Sequence, residues 1–345
     1  MKPIKLLILT LSLSLCLSAL SCGRNDSRSE TFYEYFDTVC TVSSYANEGQ
    51  KEFAEICDDI ENSLSFYHRL FDIYHEYEGV NNLATINKNA GISPVTVPKE
   101  LIDFLLYSNE IYTLTNGEVN IAMGSVLSLW HDCREDAQNN KAATIPTDKE
   151  LKEAAEHTSI ETILIDTEKN TVYITDKDTS IDAGAIAKGY ATEMIAKELI
   201  SLGISSYVLN FGGNIRIIGT KQNGDGWITG ITNPDKSSSD PFVRRLTLRD
   251  TSCVTSGSYE RYFTANGKDY HHIIDKDTLY PSEHFASVSI ITESSALADA
   301  LSTALFNMTY EEGLALCQRL GNVSAIWVTI DGKIYQTEDI NAISV

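Results

Sequence analysis

A chain of 345 residues, 43% of them apolar and 22% charged, is long enough to bury a large core and too hydrophobic for wholesale disorder. Its formal net charge of −21 argues against nucleic acid as a partner, because phosphates would be repelled. An anionic small ligand stays open, since a bound cation inverts the local charge.

The N-terminus places Lys2 and Lys5 ahead of an apolar run over 6–20, the pattern of a secretory signal and too short for a membrane span. The run ends Ala19-Leu20-Ser21-Cys22-Gly23. A small residue before a cysteine resembles a bacterial lipobox, with Ala19 where Leu is usual; ordinary signal cleavage is the alternative. On the lipoprotein reading, residues 1–21 are removed and Cys22 is lipidated. Residues 22–30 are then a tether, 31–345 form the folded domain, and the protein is exported and anchored to the cell membrane at its extracytoplasmic face. Beyond Cys16 and Cys22, cysteines 40, 57, 133, 253 and 317 are odd in number and lack any C-x-x-C, so buried thiols are expected rather than disulfides or zinc.

Residues 32–45, rich in β-branched and aromatic side chains, predict one strand. Apolar residues at helical spacing (Phe53, Ile56, Cys57, Ile60, Leu64) predict a helix over 48–70. A loop rich in Tyr, Glu and Asn follows, then a helix over 98–114 with Pro98 at its start. Residues 128–158 are polar and read as peripheral. The runs 162–166 and 171–175 read as a hairpin. A helix is expected after Asp182 to about Leu202. Strand, Gly212-Gly213 turn and strand follow over 206–219, then β segments over 226–290, a helix over 294–308 and a last hairpin around Asp331-Gly332. Mixed order without regular βαβ alternation predicts an α+β fold.

Four short words carry chemistry. In Asp182-Ala-Gly-Ala-Ile-Ala-Lys188-Gly189-Tyr190, glycines allow close backbone approach, and a helix starting near Ala187 aims its amides at anions, with Lys188 adding a point charge. A tight turn packing helix on strand explains the same word. In Ala298-Asp299-Ala-Leu-Ser-Thr303 a carboxylate and a hydroxyl share one helix face, which suits a hard cation such as Mg²⁺. Set among Leu297, Leu301, Leu305 and Phe306, Asp299 needs a charge partner or hydrogen bonds whatever its role. His271-His272-Ile-Ile-Asp275 puts two imidazoles on opposite sides of a strand, so at most one enters a given site. Thr255-Ser-Gly-Ser-Tyr-Glu-Arg261-Tyr262 matches no serine-nucleophile pattern and reads as a ligand-contacting or sheet-edge turn.

Singly these words are weak; in this order they are not. Together with Tyr35-Phe36-Asp37-Thr38-Val39, Thr85-Ile86-Asn87, Glu118-Val119-Asn120-Ile121-Ala122-Met123-Gly124, Tyr207 to Gly219, Tyr280-Pro281 and Ala296 to Phe306, the chain resembles the ApbE family, the FAD:protein FMN transferases, from about residue 31 to its end. The resemblance implies an ApbE-like, T-fold-related architecture of mixed sheets with flanking helices. It implies Mg²⁺-dependent cleavage of FAD, transfer of FMN to a threonine of a target protein, and release of AMP. Members are commonly exported lipoproteins, and the implied partner is an exported or membrane-bound flavoprotein subunit of the Nqr or Rnf type.

Carried over by motif, the metal ligands are the Ala185 carbonyl, Asp299 and Thr303. The FAD contacts are Phe36, Glu118, Val119, Asn120, Asp182, Lys188 and Ile274, with Tyr74 the candidate ring against the isoalloxazine, and His272 is the base. Asn120 stands where the family usually has Asp, Ala122-Met-Gly where it has Thr-Val-Gly, and Leu279 where it has Gly. The residues around 71–82 replace a shorter Ser-rich stretch. Two other activities fit the same residues: an FAD pyrophosphatase giving FMN and AMP, and a flavin-binding lipoprotein without chemistry.

Overall fold

The computed structural model describes residues 27–139 and 143–345; the expected signal segment over 1–21 and Cys22 lie outside the described residues. The frame is an eight-stranded sheet. Its spatial order is Arg28–Tyr35, Thr38–Ser44, Tyr207–Phe211, Asn214–Ile218, Ser252–Gly257, Phe285–Thr292, Ser324–Thr329 and Ile334–Gln336, with every neighbouring pair antiparallel.

Alternation along the strands sends successive residues to opposite faces, and this sheet buries both. Ile218, Val254, Ile290, Ala325 and Trp327 face the helices Gln50–Phe71, Ala187–Ser201 and Ser295–Asn307. Their neighbours Ile217, Cys253, Ile291 and Ile326 pack on the other side against Trp227, Ile231, Leu246 and Leu248 of the hairpin Trp227–Thr232/Phe242–Leu248. The helix Ser295–Asn307 is apolar nearly all round because it lies between sheet and helices; Leu301, Ala304, Leu305 and Phe306 are fully buried. Two smaller sheets flank this frame: Val95–Thr96 with Thr171–Ile174 and Ile163–Asp166, and Tyr262–Ala265 with Lys268–His271. The α+β reading holds.

Several local expectations are corrected. The single strand over 32–45 is a hairpin whose two-residue turn, Phe36-Asp37, has φ of 53° and 50°. Such a turn ordinarily advertises itself by Gly or Asn, so its position was invisible in the sequence. Strand pairing also begins within the stretch expected to be a tether: Arg28, Ser29 and Glu30 pair with Ser44, Ser43 and Val42, because an edge strand tolerates polar side chains when its backbone finds a ladder. Two helices outside the expected set, Leu83–Lys88 and Tyr310–Leu320, are each started by a capping box, at Asn82/Thr85 and Thr309/Glu312. Among the described residues the cysteines are free, with 40, 57, 253 and 317 buried. Among the described residues no helix is long and apolar enough to cross a membrane.

Candidate active site

The segment leading into Asp182 is fixed by its backbone. Asn87 grips Ile181 from both ends of its amide, Nδ2 donating to the Ile181 carbonyl at 2.9 Å and Oδ1 accepting its N–H at 2.7 Å. Asp182 N–H donates to the Ile121 carbonyl at 2.8 Å, and Gly124 N–H to Ser180 at 3.1 Å. The Asp182 carboxylate then accepts the Gly184 N–H at 2.8 Å, turning the chain into the helix Ala187–Ser201. Burial pushes the Asp182 pKa up, while Gly184 N–H, His131, Arg134 and Arg261 pull against that shift.

At the start of that helix two helices cross closely. A Cβ on Gly189 would overlap the Asp299 side chain and lie 2.5 Å from the Ser295 carbonyl oxygen. With no Cβ there, the Gly189 N–H reaches Asp299 Oδ2 at 2.7 Å. Gly189 lies in the first turn of the helix, where its N–H has no intrahelical acceptor, and the Asp299 carboxylate supplies one. Lys188 Nζ lies 3.8 Å from Asp299 Oδ1. Asn214, on the turn after Gly212-Gly213, also donates to the Asp299 carboxylate, and its own buried Oδ1 has no partner. Asp299 is 4% exposed. Burial raises its pKa, and Lys188, the Gly189 N–H and Asn214 oppose that rise. The charge partner and hydrogen bonds demanded by an aspartate in an apolar helix are thus present.

His272 opens to solvent from a crowded cleft. Its surroundings, then the Arg261 guanidinium, pull its pKa down to about 3, so the ring is neutral at neutral pH. Nδ1 lies 3.2 Å from the Arg261 carbonyl. A carbonyl only accepts, so Nδ1 carries the proton and Nε2 is the free base. Lys188 is within electrostatic reach of this ring, which ties the histidine to the Asp299 corner. His271 points elsewhere: Nε2 donates to the Ser282 carbonyl at 2.8 Å and its ring meets Phe306 edge-on at 5.6 Å.

The other expected contacts divide. Tyr74 is 57% exposed and shares its surroundings with Asp182, Asp37 and Arg261. Phe36 packs edge-on against His68 at 5.6 Å, and the adjoining Asp37 carbonyl accepts from Arg261 at 3.2 Å, so the strained hairpin tip forms one wall of the cleft. Glu118 pairs with Lys276 at 3.3 Å, two residues beyond Ile274. Val119 and Ile274 are buried at 2% and 6%, and the Ile274 carbonyl accepts from Asn307 at 3.2 Å. Asn120 has both ends of its amide engaged, donating to Thr158 at 2.8 Å and accepting from Ala122 N–H at 2.9 Å. It serves the protein's own backbone. Leu279, in the usual glycine position, has φ of 65°.

The unexpected members are Asn87, Asn214, His131 and Arg134. Asn87 and Asn214 sit inside words already singled out; nothing in their spacing shows what their amides grip. His131 and Arg134 belong to the helix Gly124–Gln138, inside the stretch that reads as peripheral.

Ala185, Asp299 and Thr303 would offer oxygen only, which suits a hard cation, and the Ala185 carbonyl, ahead of the helix, accepts no backbone N–H from the described residues. Asp299 is the sole carboxylate in this set, so a cation there needs ligand oxygens to fill its shell.

Known proteins share the sequence pattern and the fold of this chain. The sequence model of the ApbE family matches residues 36–327. The FAD:protein FMN transferase of Treponema pallidum is 30% identical over 334 residues, covering 91% of this chain and 88% of that protein. The crystal structure of the ApbE protein from Thermotoga maritima superposes with a TM-score of 0.81 at 26% identity, covering 92% of this chain and 99% of that one. A variant of the flavin transferase ApbE from Vibrio cholerae gives 0.76 at 25% identity with the same coverage. The chain belongs to the ApbE family.

Proposed function

We propose that this protein transfers the FMN half of FAD to a threonine hydroxyl on another protein and releases AMP. The observation that carries the proposal is the junction of Lys188, Asp299 and a neutral His272 in one cleft. The activity named for the Treponema relative supports it.

In this reading FAD lies along the cleft with its ring near Tyr74 and its pyrophosphate near Lys188. Nε2 of His272 takes the proton of the acceptor hydroxyl as that oxygen attacks the flavin-side phosphorus. The new phosphoester bond forms, the pyrophosphate P–O bond breaks, and its electron pair leaves on AMP. Lys188 stabilises charge on the phosphoryl oxygens. Mg²⁺, held by Ala185, Asp299 and Thr303, would supply charge neutralisation at the pyrophosphate. We also propose export and lipidation at Cys22, which would tether the sheet edge beginning at Arg28 close to a membrane. An exported flavoprotein subunit, of the Nqr or Rnf type, is then within reach.

The test follows FAD, FMN and AMP by chromatography, with and without acceptor subunit and with the divalent cation chelated. Transfer predicts AMP without equimolar free FMN, dependent on both acceptor and cation. AMP and FMN in equal amounts without acceptor would instead identify a pyrophosphatase using water. An unchanged FAD pool would leave a binding protein.

A further inference from the structure

The helix Gly124–Gln138 brings two basic groups to the cleft that no expected role employs. The ring of His131 stacks on Tyr74 with centroids 5.1 Å apart and planes 28° from parallel. Arg134 Nη2 lies 2.8 Å from His131 Nδ1. A guanidinium only donates, so that nitrogen is the acceptor, and Nε2–H faces Glu135 at 3.3 Å.

That hydrogen bond to His131 is the polar contact Arg134 makes, and among the described residues no carboxylate lies within ion-pair distance of it. The charge that acts on it most is the Arg261 guanidinium, which repels it and, with burial, lowers its pKa. Arg261 in turn donates to the Asp37 carbonyl and has no carboxylate partner among the described residues either. Asp182 lies within electrostatic reach of both. The chain holds 48 acidic residues against 27 basic ones, and at this pair the acidic charge within electrostatic reach is that of Asp182, with Glu135 beside Arg134. Two guanidinium forks with free N–H donors, one of them half-buried, are costly alone and well matched to a phosphate.

We propose that Arg134 and Arg261 form a phosphate seat that holds one phosphate of the FAD pyrophosphate, beside the ring position at Tyr74. The inference rests on the FAD-binding part of the transfer reading and assigns Arg134 as a specificity-determining residue. It makes the cleft select flavin nucleotides over riboflavin before any cation binds. Asp182 tempers the positive charge, so the seat recognises phosphate without trapping the product.

The test is equilibrium titration of the chelator-treated protein with FAD, FMN, AMP and riboflavin, for the wild type, Arg134→Ala and Arg134→Lys. Arg134→Ala is expected to weaken FAD about tenfold or more, as loss of a charged hydrogen-bonding fork does, and to leave riboflavin unchanged. Arg134→Lys keeps the charge without the fork and is expected to fall between. Whichever of FMN and AMP weakens with FAD identifies which phosphate is seated. FAD affinity equal to wild type in Arg134→Ala overturns the seat. So does equal weakening of FAD and riboflavin, which would reduce Arg134 to a prop for His131 and Tyr74. A wild type that binds FAD but modifies no acceptor removes the transfer reading and leaves the seat standing; a wild type that binds none of the four removes both. Unchanged thermal unfolding of the variants shows that affinity, not folding, is being read.

Discussion

The two walls of the cleft are built differently. At the crossing of Ala187–Ser201 and Ser295–Asn307, donors and charges are already matched: Asp299 receives Gly189 N–H, Asn214 and Lys188, and the helices touch where a methyl group would not fit. Along Tyr74, His131, Arg134 and Arg261, the Tyr74 ring is exposed and, among the described residues, neither guanidinium has a carboxylate within ion-pair distance. The first wall is organised by folding. The second is organised for a ligand, so changes there should alter affinity more than stability.

The largest effects should fall on the organised wall and its base. Asp299→Ala should cut transfer by about a thousandfold and abolish cation dependence, since the metal is worth several kcal/mol of charge stabilisation; initial rates against Mg²⁺ concentration check this. A variant that keeps its cation dependence would place the metal elsewhere. His272→Ala should bind FAD normally and transfer about 10²- to 10⁴-fold more slowly. Full activity would take the proton from His272 and give it to another group.

Gly189→Ala comes next. Its Cβ must push the two helices apart, at about 1–3 kcal/mol by analogy with overpacked cores, and should carry Asp299 away from Lys188. Thermal unfolding and activity should fall together, whereas Arg134→Ala should lower affinity alone. That contrast is the sharpest test of the difference between the walls.

The pH dependence follows from two signs. The His272 pKa is lowered, so the unfolded chain binds a proton before the folded one as pH falls through the ordinary histidine range. Its neutral form favours folding only above that range. Because the His272 pKa is lowered, the acid limb of transfer should fall below the ordinary histidine range. Asp299 shifts the other way: its raised pKa means that acid protonates it earlier than an ordinary carboxylate, and cation affinity should be lost on that limb. Cation titrations across pH, beside rate profiles, separate the two. The smallest effect expected is at Leu279→Gly, where relief of the left-handed backbone offsets lost packing, leaving stability within about 1 kcal/mol.

Much of this was legible because the words that resemble the family are also the words with physical content. Lys188 and Asp299 announce themselves as a charge and a carboxylate in apolar or glycine-bearing surroundings, and the apolar periods around Phe53 and Leu301 give their helices. What stayed hidden depends on partners distant in sequence. Asn87 matters through Ile181, Asn214 through Asp299, and Arg134 through Arg261; none of these pairings has a local signature. The Phe36-Asp37 turn was hidden because it lacks the glycine or asparagine such turns usually carry, and tertiary contacts with His68 and Arg261 hold it instead. Asn120 was placed at the flavin by resemblance, while the fold engages its amide in bonds to Thr158 and Ala122.

The reaction proposed for the cleft is the transfer of FMN onto a protein hydroxyl. The most direct measurement is the intact mass of an exported flavoprotein subunit after incubation with FAD, Mg²⁺ and the protein, with His272→Ala in parallel. With the wild type the acceptor should gain one FMN phosphoester per acceptor threonine, a gain absent when the cation is chelated and strongly slowed in the variant. Consumption of FAD with no change in acceptor mass would contradict it.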